Sequence, residues 1–328
     1  ELGLPTMTLP EEYGGLGESM VAHVAVEKEI AKHNMTMALV GTNCVVASLV
    51  IRMATQEQKD KYLDSLVANP AGFAFTEPVA GSDAAGIQTT AVRDGDEWVI
   101  NGQKTFISFV NQCEYFLISA RTNETGEGGI STFLVPSNAP GFKVGSIFHK
   151  LGMKGSDTGE LFFEDLRVPQ IALIGRENHG LQVALSLLDE ARLGVASCAV
   201  GIAEAAFEKA VEYTKGRIAF GRPLAKNQGL QWYAAEMHTK IAAARALLFE
   251  VARAYDEGES ITVGAAEAKY FATQVALDVT TKAIQMCGGY GLTDDFGVER
   301  LFRDAKTCGI IEGADEILKI VAARGAMS

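Results

Sequence analysis

The segment IIEGADE near the end of the chain contains a carboxylate suited to proton transfer. Glu312 is flanked by Ile310, Ile311 and Gly313. Apolar neighbours that strip water from a carboxyl group raise its pKa from about 4.3 toward neutrality, which makes it a usable general base. Gly313 would let a ligand approach the backbone closely. On spacing alone, an acidic residue at the start of a helix is the simpler interpretation, so both readings stay open.

A glycine-punctuated segment, FAFTEPVAGSDAAG at 73–86, carries hydroxyl groups on Thr76 and Ser82. Its backbone donors and hydroxyls suit the polar edge of a ring or a phosphopantetheine arm. A simple connecting turn explains the same residues. The segment is therefore a candidate binding loop without a defined ligand.

Two further segments offer cationic side chains. In GRIAFGRPL at 216–224, the Arg217 guanidinium suits a pyrophosphate and the Phe220 ring suits an adenine, although an isolated arginine is usually a surface residue. In LLDEAR, Asp189 and Arg192 are one helical turn apart and can share a face. A solvated ion pair and a ligand contact both fit that spacing.

Three stretches of different periodicity must position these residues. Residues 20–68 space apolar side chains by three and four, residues 71–169 form short runs separated by turn signals, and the helical period returns after Pro169. This segregated order predicts an α+β fold with an N-terminal helical domain at 1–69, a middle antiparallel β domain at 70–170 and a C-terminal four-helix bundle at 171–328.

Composition excludes several classes of protein. The 328 residues include 29 Lys+Arg and 41 Asp+Glu, a net charge of −12 that offers no basic field for nucleic acid or an anionic membrane. Five dispersed cysteines and five dispersed histidines give no metal-ligand spacing, and buried, reduced thiols are expected. The uncharged run Met35–Ile51 is too short and too polar for a membrane span and predicts a buried helix. Dinucleotide, P-loop, serine-hydrolase and zinc-protease signatures are absent.

The content and order of these segments resemble the acyl-CoA dehydrogenase flavoprotein family. The resemblance covers the whole chain from PEEYGGLG at 10–17 through MCGGYGLTDDFGVERLFRDAKTCGIIEGADEILK at 286–319. It implies that the family's first helices precede Glu1. It also implies an FAD cofactor, an acyl-CoA substrate and a role in fatty acid metabolism.

The resemblance assigns site residues by position. It makes Glu312 the catalytic base, and it assigns the acyl-CoA contacts to Ser82, Asp189, Arg192 and Gly313. It assigns FAD to Phe75, Thr76, Gly81, Ser82, Phe106, Ser108, Arg217, Phe220, Gln228, Gln285, Gly289, Ala314 and Glu316. Gly41 and Thr42 are expected on the helix that floors the acyl pocket.

Some positions depart from the family pattern. Phe106 stands where many relatives have Trp, and Ser108 where many have Thr. Ala314 removes a hydroxyl that usually lies near the flavin, and Asp315 and Glu316 replace a usually uncharged pair. Some relatives place the base just before the arginine that corresponds to Arg192. That position is alanine here, and the preceding glutamate points about 100° away on a helix, which favours Glu312 as the sole base.

The implied reaction is dehydrogenation of an acyl-CoA to the trans-2-enoyl-CoA. Glu312 would remove the α-proton while the β-hydrogen leaves as hydride to flavin N5, and an electron-transferring flavoprotein would accept the electrons. The resemblance further implies a homotetramer with FAD bound across each dimer interface, in a bacterial cytoplasm or the mitochondrial matrix. The alternatives are an enoyl-CoA reductase, an acyl-CoA oxidase and a catalytically silent acyl-CoA-binding protein, of which the last tends to lose the base.

Overall fold

The computed structural model describes residues 3–42, 44–123 and 129–327 and separates into two compact units. The first unit contains Glu1–Glu18, Val40–His149 and Lys154–Glu190, and the second contains Ser19–Leu39, Lys150–Met153 and Ala191–Ser328. The side chains of Gly41 and Thr42 lie outside the described part. Their expected place on the pocket floor therefore stays a prediction.

Eight strands of the first unit form one sheet. They are β1 (Ala71–Ala74), β2 (Thr90–Asp94), β3 (Glu97–Ser108), β4 (Tyr115–Arg121), β5 (Ile130–Pro136), β6 (Phe142–Ile147), β7 (Thr158–Pro169) and β8 (Leu173–Ile174). Their order is β6-β7-β3-β2-β4-β5-β8, with β1 paired to β4.

The sheet is antiparallel in most of its pairings. Strand β1 pairs with β4 in parallel, and one residue of β2 also pairs with β4 in parallel. Strand β3 pairs with β2 and with β7 in antiparallel register. The sequence predicted an antiparallel domain and missed these parallel pairings. The physical reason is that β1 reaches β4 only after the whole β2–β3 hairpin, and turn signals report the direction of hairpins alone.

The first unit buries its core against two helices, α3 (Val45–Met53) and α4 (Gln56–Ala68). Strands β4 and β5 are near-continuous apolar runs because both of their faces are covered. Leu117 and Leu134, in the middle of these strands, share one cluster with Leu49 and Val50 of α3. Thr55 begins α4 with a capping box, which satisfies backbone donors at the helix start.

Long helices form the second unit. They are α1 (Met20–His33), α2 (Met35–Thr42, which ends in the first unit), α5 (Gly180–Gly216, which begins there), α6 (Gln228–Asp256), α7 (Thr262–Cys287), α8 (Val298–Cys308) and α9 (Asp315–Met327). Helix α7 packs against α6, α8 and α9. It carries many buried alanines, and these small side chains let neighbouring helices approach closely. The predicted α+β order of helices, sheet and helical bundle is confirmed.

Helix α1 packs against α6, and Lys28 on α1 is ion-paired with Glu204 on α5. The first long helix of the chain thus belongs to the same unit as the C-terminal helices. The division at 1–69, 70–170 and 171–328 stays a prediction.

One stretch, Met35–Met53, is long and apolar enough to cross a membrane by length and composition. Its most apolar window is 67% buried inside the structure, as in the core helices of many proteins. All five cysteines are buried, which confirms the expectation of buried thiols.

Candidate active site

A β-bulge turns Phe106 out of the sheet. The pairing of β3 with β7 shifts register between Lys104 and Ile107, and Phe106 adopts a left-handed backbone with φ 58°. Lys104, Thr105 and Ile107 are buried, whereas Phe106 is 65% exposed. Its ring packs against Phe148 at a centroid distance of 5.0 Å. Bulges of this kind re-aim a side chain, and here the result is an aromatic surface at the end of β3.

A buried lysine holds the 75–77 segment beside this bulge. Lys104, with no exposed surface, donates to the Phe75 carbonyl at 2.9 Å and to Glu77 Oε1 at 2.8 Å. Burial lowers the pKa of Lys104 to about 8. Burial alone would raise the pKa of Glu77, but the Lys104 ammonium and the backbone N–H groups of Gln88 and Thr89 hold it below its usual value.

The predicted polar residues of the first unit lie around this segment. The Thr105 N–H donates to the Thr76 carbonyl at 2.8 Å, which ties the loop to β3. Thr76 and Ser108 are partly buried, and Gly81 and Ser82 are exposed. The structure therefore brings hydroxyl donors and the Phe106 ring to the same end of β3.

In the second unit, Glu312 lies in the turn between α8 and α9. Glu312 has φ 52° and Gly313 has φ 96°, so two consecutive residues adopt left-handed conformations. Glycine does so freely, whereas a glutamate does so at an energetic cost that the surrounding structure must offset. A Cβ added to Gly313 would lie 3.9 Å from Nη2 of Arg192, so this turn and Arg192 are neighbours.

Burial raises the pKa of Glu312, and the charges of Arg192 and Lys269 partly offset that rise. Arg192 is only 6% exposed on α5, and Lys269 is fully buried on α7. The sequence argument for a desolvated carboxylate is therefore supported by the environment of Glu312. A carboxyl group with a raised pKa is suited to accept or donate a proton near neutral pH.

Asp189 and Glu190, which precede Arg192 on α5, belong to the first unit. Glu190 is buried and forms an ion pair with Arg52, which occupies it. Asp189 is partly buried. Because its carboxylate is paired with Arg52, Glu190 is poorly suited to act as the alternative base on this helix.

A short hairpin presents Phe220 to solvent. Strands β9 (Ile218–Ala219) and β10 (Arg222–Pro223) pair across a two-residue turn in which Phe220 has φ 53° and Gly221 has φ 76°. Such a turn prefers Asn-Gly, so phenylalanine is not chosen for turn stability. Its side chain is 97% exposed.

Two residues assigned to FAD are linked to this hairpin, Arg217 by its place in the chain and Gly289 through its neighbour Tyr290. Arg217 is exposed beside it, and its carbonyl accepts from the Leu224 N–H at 2.9 Å. Tyr213, one turn before Arg217, packs on Tyr290 at 5.9 Å, directly after Gly289. Also exposed are Gln228 at the start of α6, Gln285 in the last turn of α7, and Gly289.

In each unit, taken by itself, the chemistry of the assigned residues fits one part of an FAD. The first unit supplies hydroxyls and an exposed phenylalanine, suited to the edge and face of a flavin ring. The second unit supplies an exposed guanidinium and an exposed phenylalanine, suited to a pyrophosphate and an adenine. Ala314 is partly buried and Glu316 is exposed in the first turn of α9, and neither makes a contact that tests its assignment.

Sequence reasoning missed the buried lysines, Lys104 and Lys269. Lys269 donates to the Gly313 carbonyl at 2.8 Å and lies 3.2 Å from Asp315. A signal for it was present, because Lys269 occupies the apolar face of α7 among Ala265, Ala266 and Ala272. A lysine at such a position needs a buried partner.

Comparison with known proteins covers the whole chain. Three family models match: the acyl-CoA dehydrogenase N-terminal domain at residues 1–70, the middle domain at 72–166 and the C-terminal domain at 178–327. The acryloyl-CoA reductase (NADH) of Anaerotignum propionicum is 42% identical over 333 residues, which cover 100% of this chain and 84% of the relative.

Two solved structures are similar in fold. The butyryl-CoA dehydrogenase of Megasphaera elsdenii matches with a TM-score of 0.97 and 37% identity, over 100% of this chain and 88% of that chain. A chain from a study of the electron transferring flavoprotein of Acidaminococcus fermentans matches with a TM-score of 0.96 and 40% identity, over 99% of this chain and 87% of that chain.

Proposed function

The chain belongs to the acyl-CoA dehydrogenase family of FAD-dependent oxidoreductases that act on CH–CH bonds, and from this premise we propose that Glu312 is its catalytic base. The protein catalyses FAD-dependent dehydrogenation or reduction of an acyl-CoA. The observation that carries the proposal for Glu312 is its setting: a carboxyl group whose pKa is raised by burial, in a left-handed turn beside Arg192.

In the dehydrogenase direction, the Glu312 carboxylate takes the α-proton of the thioester, and the Cα–H electron pair forms the new Cα–Cβ double bond. FAD, when bound, supplies the acceptor for the β-hydrogen and its electron pair. Arg192 stabilises the carboxylate form of Glu312, and the raised pKa gives that form enough basicity to take a proton. Gly313 would let the thioester approach the backbone closely next to the base.

The residues proposed to hold FAD divide by chemistry. Thr76, Ser82 and Ser108 would donate to the flavin ring, and Phe106 would cover one face of it. Arg217 would bind the pyrophosphate, and Phe220 would stack on the adenine. Their support is the exposure of both phenylalanines in left-handed backbone conformations, which the fold itself does not require.

The remaining proposed contacts follow the family positions. The flavin would also contact Phe75, Gly81, Gln228, Gln285, Gly289, Ala314 and Glu316. The acyl-CoA would contact Ser82, Asp189, Arg192 and Gly313.

The reverse reaction is the second candidate. The 42% identity to an acryloyl-CoA reductase supports it, as the same identity to a short-chain acyl-CoA dehydrogenase supports dehydrogenation, and the same carboxyl group, when protonated, can donate to Cα. An acyl-CoA oxidase would use the same residues and pass electrons to oxygen. A silent acyl-CoA-binding protein would have no use for a carboxyl group with a raised pKa at Glu312.

The proposed partner in either direction is an electron-transferring flavoprotein, supported by the similar chain from the Acidaminococcus fermentans study. The proposed assembly is a homotetramer in which FAD lies across each dimer interface. The proposed location is the cytoplasm of a bacterium or the mitochondrial matrix, and the bacterial origin of the relatives supports the first.

The test is the visible spectrum of the purified, FAD-loaded protein under anaerobic conditions. Short, branched, aromatic and medium-chain acyl-CoAs are added one at a time. Bleaching of the oxidised-flavin band by one of them supports dehydrogenation and names the substrate class. Recolouring of the reduced protein by an enoyl-CoA alone supports the reductase. A protein that cannot be reconstituted with FAD would contradict the whole proposal.

A further inference from the structure

A buried polar cluster lies directly behind the Glu312 turn. Lys269 on α7 has no exposed side-chain surface. Its ammonium donates to the Gly313 carbonyl at 2.8 Å and lies 3.2 Å from Oδ1 of Asp315. One buried cation thus binds the backbone immediately after Glu312 and the first residue of α9.

Asp315 is itself held from several directions. It is 4% exposed. The Thr273 hydroxyl lies 2.9 and 3.0 Å from its two carboxylate oxygens, and Gln274 Nε2 donates to Oδ2 at 2.7 Å. Its N–H donates to the Gly309 carbonyl at 3.2 Å, which closes the turn. Both carboxylate oxygens are therefore satisfied by side chains of α7.

These contacts bear on the backbone of the base. Consecutive left-handed residues at Glu312 and Gly313 persist only where their surroundings fix them. The Lys269 bond fixes the carbonyl of Gly313, and the Asp315 bonds fix the residue two positions further on. A carboxylate that removes a proton must be held in place, because small displacements from the reactive geometry slow the reaction strongly.

We propose that Lys269 and Asp315 are positioning residues for Glu312. Lys269 clamps the turn that carries the base, and Asp315 orients Lys269 and balances its charge. This inference rests on the proposed role of Glu312 and adds two residues that do not touch the substrate.

The charged and titratable groups around Glu312 come from four helices. Arg192 on α5 and Lys269 on α7 both favour the ionised form of Glu312. Asp315 on α9 opposes Lys269. Burial raises the pKa of the Cys308 thiol on α8 to about 12, so this group stays neutral. The pKa of Glu312 therefore depends on both charges, that of Lys269 and that of Asp315.

Two single variants should shift the pKa of Glu312 in opposite directions. Burial lowers the pKa of Lys269 and Asp315 opposes that fall. At pH values where Lys269 keeps its proton in Asp315→Asn, the pKa of Glu312 falls and the acid limb of kcat/KM moves to lower pH by about half to one unit. Lys269→Met removes the cation and leaves Asp315, so the limb moves to higher pH by a similar amount. A loss of stability alone would leave the limb in place in both.

The double variant Lys269→Met/Asp315→Asn keeps the experiment decisive if a single variant does not fold. It removes both charges, which a bundle core tolerates better than an unpaired one. We expect an acid limb near that of the wild type, with kcat about tenfold lower because the clamp on Gly313 is lost. Unchanged kcat in a folded double variant would overturn the positioning role.

Glu204→Gln is the matched control. Glu204 is a buried carboxylate of the same unit, ion-paired with Lys28, Lys32 and Arg245. Its loss should lower Tm as the Asp315 variant does, with the acid limb unmoved. A limb that shifts equally in Glu204→Gln would contradict the inference.

A readout independent of turnover separates this inference from the proposed function. The infrared difference spectrum of the FAD-loaded protein, wild type minus Glu312→Gln, titrates the protonated carboxyl band of Glu312 with pH. That band should titrate lower in Asp315→Asn and higher in Lys269→Met. Identical titrations would overturn the inference even if the enzyme is active, whereas shifted titrations in a protein inert to every acyl-CoA would contradict only the proposed function.

Discussion

The carboxylate of Glu77 accepts a hydrogen bond at 2.8 Å from Lys104, a lysine without exposed surface that also binds the carbonyl of Phe75. Lys269 repeats the arrangement in the second unit, where it binds the Gly313 carbonyl and Asp315. In each unit a buried lysine joins a carboxylate to the backbone of a predicted site segment. Such a pair fixes its segment because an unpaired charge in that position is expensive.

The Glu77–Lys104 pair predicts a specific acid sensitivity. Because the pKa of Glu77 is lowered in the folded state, the folded protein binds fewer protons than the unfolded chain. The stability from Glu77 is therefore complete above pH 4.5 and is lost as the pH falls through the lower, folded-state pKa. Glu77→Gln should lose about 3 kcal/mol or more at pH 7 and show a flatter acid dependence.

Urea unfolding between pH 3 and 7 measures this difference. The matched control is Glu97→Gln, since Glu97 forms a surface ion pair with Arg167 in the same unit and should cost less than about 1 kcal/mol. Equal losses of unfolding free energy in the two variants would show that the buried pair stabilises the protein no more than a surface pair.

Phe106→Gly separates binding from folding. The left-handed backbone suits glycine, and the exposed ring contributes little to the core. The free energy of unfolding of the apoprotein should stay within about 1 kcal/mol of wild type, while FAD affinity falls about tenfold through loss of the aromatic contact. FAD titration of the apoprotein measures the affinity.

Phe109→Gly is the control for that variant. Phe109 has nearly the same backbone angle, φ 59°, but is only 8% exposed. Its loss should destabilise the protein by about 3 kcal/mol or more. Unchanged FAD affinity in folded Phe106→Gly would remove Phe106 from the proposed flavin contacts.

Phe220→Asn should have opposite effects on stability and on cofactor binding. Asparagine is favoured at this place in a two-residue hairpin turn, so Tm should hold or rise. FAD affinity should fall about tenfold if the ring stacks on the adenine. Ile218→Thr, at another exposed apolar position of the hairpin (57% exposed), should leave FAD affinity unchanged. An affinity that survives Phe220→Asn would reject the stacking role.

Gly313→Ala tests the turn at the base. The new Cβ would meet Leu318 at an ordinary 3.4 Å, so the cost comes from the backbone angle of 96°. We expect a loss of about 1 kcal/mol in stability and about tenfold in kcat. In the control Gly216→Ala, the new Cβ would have no neighbouring side chain or backbone from another element within 4 Å. It should change neither stability nor kcat. Steady-state kinetics with thermal unfolding distinguishes the two outcomes.

Local chemistry in the sequence predicted the fold order and the setting of Glu312. Periods of 3.6 and 2 separate the helices from the sheet, and flanking isoleucines signal a desolvated carboxylate. The parallel pairing of β1 with β4 was missed because it joins segments about 40 residues apart, which no local pattern reports. Lys104 was missed for the same reason, since its partners come from another element. Lys269 carried a signal on the apolar face of α7, but its partners at Gly313 and Asp315 lie in another element and could not be named from it.

The bulge at Phe106 also escaped the sequence. Alternation along β3 would place Lys104 and Phe106 on the same face, yet one is buried and the other exposed. The register shift against β7 decides this, and a single strand carries no record of its partner's register. The sequence could propose Phe106 only through the family resemblance.

Single-turnover bleaching of the flavin band by the best acyl-CoA is the sharpest test of Glu312 as the proton-transferring base. Glu312→Gln should bleach at least about a thousandfold more slowly while binding the acyl-CoA within a fewfold of wild type. Glu190 is paired with Arg52 in the wild type, and the Glu190→Gln variant should bleach at the wild-type rate. Wild-type bleaching in Glu312→Gln, or its loss in folded Glu190→Gln alone, would contradict the account.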